Sequence, residues 1–204
     1  HEEVDLRDWS LLGMNNLVIG RVESEGDGYR VSWTLFDVFR GNQLASDSLT
    51  TTQGGLRITA HRIADQIYEK LTGQPGVAAT RIAYLTATGS ANPQTLTLRV
   101  SDADGHNPQT IVSSGEPLMS PAWSPDGRRI AYVSFENKRP AIYVQDLASG
   151  RRDLVASYPG INGSPAFSPD GTRLAMTLSK DGNPDVYVLN LFTRELTRLT
   201  DHYS

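Results

Sequence analysis

Several groupings in this 204-residue chain have residue types and spacing that could do chemistry. His61 and Asp65 lie four apart, so a helix would put them on one face, where they could share a metal ion or pass a proton. Their simpler reading is a solvated ion pair of small energetic value. Asp126 and Asp170 resemble paired catalytic carboxylates, yet each sits inside the same Ser-Pro-Asp-Gly stretch, and that context points to turn chemistry. Asp102-Ala103-Asp104-Gly105 opens like a calcium loop but lacks the carboxylates that should follow, so a hairpin turn is expected. The histidines at 1, 61, 106 and 202 show no HExxH spacing and have no cysteine partners, which argues against zinc. Neither a GxSxG elbow nor a GxxxxGK[ST] loop occurs. The expectation is therefore no catalytic, metal-ligating or cofactor-binding residue.

The elements that would carry these residues come from a repeat. Ser120 to Val133 reads SPAWSPDGRRIAYV and Ser164 to Leu178 reads SPAFSPDGTRLAMTL, 44 residues apart. That period matches one β-propeller blade, roughly 40–45 residues. Ile142 to Leu147 and Val186 to Leu191 keep the same offset of 44. An earlier, divergent copy pairs Arg81-Ile82-Ala83-Tyr84 with Arg129-Ile130-Ala131-Tyr132 at an offset of 48, and Leu98 to Asp102 with Ile142 to Asp146 at 44. Within a unit, runs of β-branched and aromatic residues bounded by Gly, Asp, Asn and Pro predict four short antiparallel strands. Trp123 and Phe167 occupy matching places, as rings packed between neighbouring blades.

The first part of the chain is patterned differently. Tyr29, Val31, Trp33, Leu35 and Phe39 alternate with Arg30, Ser32, Thr34 and Arg40, the period of a half-buried strand, with Asp37 interrupting the apolar side. Leu17 to Val22 is a second strand, joined to it through Glu23 to Gly28 as a hairpin. Leu56, Ala60, Ile63, Ile67 and Leu71 form one apolar stripe along a helix that Gly73 and Pro75 stop. The expected organisation is an α+β domain over 1–76, made of a hairpin and a helix, and a repeat domain over 77–204. Two strands and one helix are marginal alone, and His1-Glu2-Glu3 begins the chain abruptly, as if inside a domain.

Composition mostly excludes. With 38% hydrophobic residues and no long apolar run, nothing is expected to span a membrane. The 23 acidic and 19 basic residues give a net charge of −4, which offers no footprint for nucleic acid. Arg128-Arg129 and Arg151-Arg152 read as solvated residues flanking turns. The absence of cysteine suits either the cytosol or a periplasmic protein that avoids oxidation, and no signal-peptide pattern opens the sequence.

Residues 60–85, AHRIADQIYEKLTGQPGVAATRIAYL, followed by LMSPAWSPDGRRIAYVSFEN and NGSPAFSPDGTRLAMTLSKDGNPDVYVLNL, resemble the TolB family, periplasmic propeller proteins of the Tol-Pal system. The likeness runs through essentially all of the chain. It implies an N-terminal α/β domain followed by an all-β six-bladed propeller, of which about the first two to three blades are present. It also implies a non-catalytic protein that links the Pal lipoprotein to TolA, maintains outer-membrane integrity and its constriction at cell division, and is exploited for colicin import. In the family, Pal and colicin translocation peptides compete for one mouth of the propeller channel. By resemblance the partner-binding residues are Leu118, Met119 and Ser120 in one loop and Ile161, Asn162, Gly163 and Ser164 in its counterpart. Some members have a histidine where this chain has Ile161. TolA binding falls to the extreme N-terminal segment of the family, which the resemblance places outside this chain.

A second reading starts from the same repeats. Propellers rich in SPDG also gate the active sites of prolyl-oligopeptidase-like serine peptidases. Such a protein would add an α/β-hydrolase domain with a GxSxG elbow after the blades, and the preceding helix-bearing domain does not belong to it. As a binding module, by contrast, a rigid ring lets an extended peptide dock without ordering the receptor, which limits the entropy lost.

Overall fold

A computed structural model describes residues 5–89 and 94–201; the His1-Glu2-Glu3 start and His202 lie outside the described residues. The chain divides into two compact units, His1–Thr80 and Arg81–Ser204.

The first unit holds α1 (Leu6–Leu11), β1 (Asn16–Glu25), β2 (Gly28–Asp37), β3 (Asn42–Thr51) and α2 (Leu56–Thr72). Its sheet is an antiparallel meander in the order β1-β2-β3. The alternation in β2 works as expected over Trp33 and Leu35, which are buried with Ile63 of α2, while Val31, Leu44, Ala45, Leu49 and Ile67 pack around them. Burying each large apolar side chain contributes on the order of 1.5–3 kcal/mol.

Four details depart from the sequence reading. The hairpin gains a third strand, β3, whose polar composition hid it: only Leu44, Ala45 and Leu49 of its ten residues carry apolar side chains. The short helix α1, capped by Asp5 accepting the Arg7 N–H at 2.9 Å, was also missed. Phe39 is 64% exposed and Val38 is buried, because Asp37 ends the strand. Its carboxylate accepts the Arg40 N–H and its carbonyl the Gly41 N–H, making a turn that breaks the two-residue period. On α2 the buried positions are Thr59 and Ile63, while Ala60 and Leu71 face outward. The helix ends at Gly73 in the left-handed region, φ 73°, where a residue without Cβ is favoured.

Asp65 has a different task from the one its spacing suggests. Its carboxylate oxygens accept the N–H groups of Ala78 (2.6 Å) and Ala79 (2.9 Å). These bonds fold residues 74–80 back along α2. A Cβ on Gly76 would strike the Asp65 backbone at 2.5 Å, so glycine permits this approach.

Among the described residues the second unit contains three antiparallel sheets. The first has β4 (Arg81–Thr88), β5 (Thr95–Asp102) and β6 (Gln109–Ser114); the second has β7 (Leu118–Trp123), β8 (Arg129–Ser134), β9 (Ala141–Asp146) and β10 (Arg152–Ala156); the third has β11 (Asn162–Phe167), β12 (Arg173–Leu178), β13 (Asp185–Asn190) and β14 (Leu196–Arg198). The registers repeat: Arg81 faces Asp102, Arg129 faces Asp146 and Arg173 faces Asn190. Among the described residues the first sheet has three strands rather than the expected four.

Successive sheets pack face to face through apolar cores. Leu98 and Val100 of the first meet Ile130, Tyr132 and Tyr143 of the second. Ala131, Val133, Ile142 and Val144 of the second meet Leu174, Met176, Leu178, Tyr187 and Leu189 of the third. The strands β7 and β11, one edge of each four-stranded sheet, also lie close to each other. This is part of a propeller, with no closed ring among the described residues.

Candidate functional site

The two ends of each blade do different things, and the Ser-Pro-Asp-Gly hairpins define one of them. Ser124 Oγ accepts the Arg129 N–H at 2.8 Å and donates to Asp126 Oδ1, which accepts the Arg128 N–H at 3.0 Å. Ser168, Asp170, Thr172 and Arg173 repeat the pattern. Hydrogen bonds from Ser124 and the Arg128 N–H hold Asp126 below the usual carboxylate range. Those from Ser168 and Thr172 bring Asp170 down to about 2. A carboxylate kept charged by its own hairpin is a turn residue, which fits the expectation for both. Asp102-Asp104-Gly105 is likewise a turn, with Gly105 N–H on the Asp102 carbonyl and Asp104 capping His106. Among the described residues no group of three or more His, Cys, Asp or Glu could hold a metal ion.

The opposite end carries the two loops that the family resemblance expects at the channel mouth. Phe135 N–H donates to the Pro117 carbonyl (3.0 Å) and Ser179 N–H to the Ile161 carbonyl (3.2 Å). Each loop that enters an inner strand is thereby tied to the hairpin beyond the next strand. Ile161 N–H also reaches Ser179 Oγ at 2.7 Å. Gly160, φ 79°, packs directly on Ser179 Oγ, so both its backbone and its lack of Cβ fit it to that place.

The seven expected site residues fall into four kinds. Leu118 is buried in the core between the first two sheets, and Asn162 is buried too, so neither side chain is open to a partner. Asn162 Oδ1 accepts the Tyr158 N–H (2.9 Å) and its amide donates to the carbonyls of Tyr158 (2.7 Å) and Gly160 (3.3 Å). It holds the loop from within. Gly163 is half-buried in the strand. Met119, 49% exposed, and Ile161, 47% exposed, are apolar side chains presented to solvent.

Ser120 and Ser164 form the fourth kind. Both adopt positive φ, 50° and 49°, and both precede a proline, which disfavours helical conformations in the residue before it. At each, the ladder with the next strand shifts register, between Met119 and Ala122 and between Gly163 and Ala166. A left-handed non-glycine residue costs about 1–3 kcal/mol, and here it recurs with a bulge at the same repeat position. Both serines are exposed.

Charged residues of the second sheet and its loops are more engaged than sequence reading allowed. Glu116 pairs with Lys138. Arg152, expected as a plain solvated residue, forks onto Glu136 with two bonds of 2.8 Å and lies 4.3 Å over the Tyr143 ring. Burial and the hydrogen bond to Glu136 push the Tyr143 phenol up to about 12. Burial opposes the Glu136 charge, but the bonds from Tyr143 and Arg152 outweigh it and hold that carboxyl low. Arg129, also expected to be solvated, lies half-buried with its guanidinium 5.4 Å from the Phe167 ring centre. Trp123 and Phe167 are correspondingly half-buried, each with a core face and a face under an arginine. The sequence hint for these arginines was their place at the first position of β4, β8 and β12.

Stacked, register-repeating antiparallel sheets with turn carboxylates at one end and loops at the other define part of a β-propeller. The family model of the TolB beta propeller domain matches residues 68–204 and that of the TolB amino-terminal domain residues 1–44, so the chain belongs to the TolB family. It is 52% identical over 163 residues to the Tol-Pal system protein TolB of Xanthomonas campestris pv. campestris strain B100, covering 79% of this chain and 37% of that protein. The corresponding protein of Xanthomonas oryzae pv. oryzae strain MAFF 311018 is 51% identical over the same length. The crystal structure of TolB from Acinetobacter baumannii superposes with a TM-score of 0.89 at 42% identity, covering 98% of this chain and 50% of that one. The chain thus spans 37% of the length of the curated relatives it matches. No helix among the described residues is long and apolar enough to cross a membrane.

Proposed function

We propose that this chain is part of a non-catalytic, periplasmic protein-binding scaffold of the Tol-Pal system, which takes the Pal lipoprotein at the mouth formed by the loops around Met119 and Ile161. The observation that carries this reading is two apolar side chains, each about half exposed, set on loops that hydrogen bonds tie to the hairpin beyond the next strand. A preordered receptor of that sort binds a peptide without losing its own conformational entropy. Loops held on a rigid scaffold are also where binding residues concentrate.

Within that role the protein links Pal to TolA, which engages the N-terminal segment of the family, and so supports outer-membrane integrity and constriction at division. Colicin translocation peptides would use the same mouth as Pal. Family membership supports the Tol-Pal assignment; the exposed mouth residues support the choice of surface. The test is a pull-down of the whole gene product with Pal from the same cell. Retention of Pal at micromolar concentration is expected, and its absence would refute the proposal.

A further inference from the structure

A cleft of about 340 Å³ opens between the second and third sheets, at the hairpin end and away from the loops of Met119 and Ile161. Three guanidiniums and two carboxylates line it: Arg129 at the start of β8, Asp146 at the end of β9, Arg151 and Asp153 around the start of β10, and Arg194 in the turn from β13 to β14. Four of the five have partners. Arg151 forks onto Asp153 through Nε at 3.2 Å and Nη2 at 3.1 Å. Arg129 donates to the Gly171 carbonyl at 2.9 Å and lies against the Phe167 ring. Asp146 Oδ1 accepts the Ser149 hydroxyl at 2.6 Å and its N–H at 2.7 Å, and these bonds keep its carboxyl below the usual range. Arg194 differs, because its guanidinium has no hydrogen-bond or ion-pair partner among the described residues.

The backbone sets Arg194 apart as well. Its φ is 63°, and its counterpart 44 residues earlier is Gly150, φ 70°, in a turn closed by the same bond from the N–H to the carbonyl four residues back. Glycine suits that conformation, whereas an arginine holds it at an energetic cost of the kind found where a side chain has a task. The Gly150 turn belongs to the second sheet, where Leu147 packs on the core shared with the first, and it brings no side chain to that junction. Only the junction of the second and third sheets gains a guanidinium from its turn.

The lining fixes the chemistry of a ligand. Three guanidiniums against two carboxylates leave one positive charge in excess, and an arginine fork takes a carboxylate or phosphate through two parallel bonds. Carboxylates are acceptors only, so Asp146 and Asp153 would repel a bare anion while taking hydroxyl donors. Val144, Val155 and Leu191 add an apolar wall for a carbon face. The volume is at the low end for small-molecule sites, roughly 300–1,000 Å³, which suits one sugar ring. We propose that this cleft binds an anionic monosaccharide, with its acidic group on Arg194 and its hydroxyls on Asp146 and Asp153.

The test titrates glucose 6-phosphate and glucuronate, the two forms of that chemistry, into the whole gene product by calorimetry, beside glucose and inorganic phosphate. At least one sugar anion is expected to bind with a Kd below about 1 mM, and the tighter of the two names the acidic group. Glucose and inorganic phosphate should each bind at least about tenfold more weakly. Arg194→Gly should weaken the sugar anion at least about tenfold without lowering Tm, since glycine suits the turn. Amide NMR shifts on adding the sugar anion should centre on residues 146–151 and 191–195. Failure of both sugar anions to bind, equally tight binding of inorganic phosphate or of glucose, unchanged affinity in Arg194→Gly, or shifts centred elsewhere would overturn the proposal.

Discussion

The side chain of Asn162 closes a ring of hydrogen bonds on Tyr158, accepting from its N–H at 2.9 Å and donating to its carbonyl at 2.7 Å. Three bonds from one buried amide fix the loop that presents Ile161. Asn162→Ala should therefore cost about 1–3 kcal/mol, the penalty for leaving buried polar groups unmade. Urea unfolding with an unchanged slope would measure it. Any loss of Pal binding in this variant should be indirect, through a loosened loop.

Replacing Met119 or Ile161 should have the opposite profile. Both are about half exposed, and substitutions away from core features usually stay within about 0.5 kcal/mol. Met119→Asp and Ile161→Asp should leave the unfolding midpoint in place while weakening Pal, as read by calorimetric titration. A shifted midpoint would mean that the side chains pack more than they present.

Ser120 and Ser164 store backbone strain. Ser164→Gly removes the Cβ from a left-handed position and should be neutral or slightly stabilising, whereas Ser164→Val should destabilise by about 1–3 kcal/mol. Thermal unfolding of the pair separates conformational strain from any loss of the hydroxyl. Equal effects of Gly and Val would rule strain out.

The hairpin carboxylates predict a pH dependence with a definite sign. Asp170 falls from its ordinary 3.8 to about 2, because Ser168 and Thr172 bond its charged form. A carboxyl depressed in the folded state adds stability that is present above its ordinary value and is lost as pH falls towards about 2. Ser168→Ala should raise the Asp170 titration midpoint, followed by NMR of its carboxyl carbon. An unmoved midpoint would show that the hydroxyl bond is not the cause.

Half-burial sets the expected cost at Trp123. With one face on the core and the other under Arg81, Trp123→Ala should destabilise by about 2–4 kcal/mol, at or below the range for a fully buried ring. A loss under about 1 kcal/mol would show the ring to be a surface feature.

The sequence made legible whatever repeats or alternates strongly. The duplicated SPDG stretches located two hairpins, their carboxylate roles and the paired strands around them, because turn residues act locally. Trp33, Leu35 and Gly73 were readable for the same reason. Polar β3 was not, since a strand held mostly by backbone pairing to β2 needs little apolar patterning. Asp65, Asn162 and Arg129 were misread because their partners lie 13–14, 2–4 and 38–42 residues away, and only folding brings the distant ones together. In the two loops, residue type did not tell Leu118 and Asn162, turned inward, from Met119 and Ile161, turned out.

Docking of Pal at this mouth is tested most directly by calorimetric titration of Pal into the whole gene product and into its Met119→Asp/Ile161→Asp double variant, with melting recorded for both. Binding at the mouth predicts a Kd at least about tenfold weaker in the variant, a difference of ~1.4 kcal/mol, with the melting temperature unchanged. Equal Kd values in two equally stable proteins would contradict it.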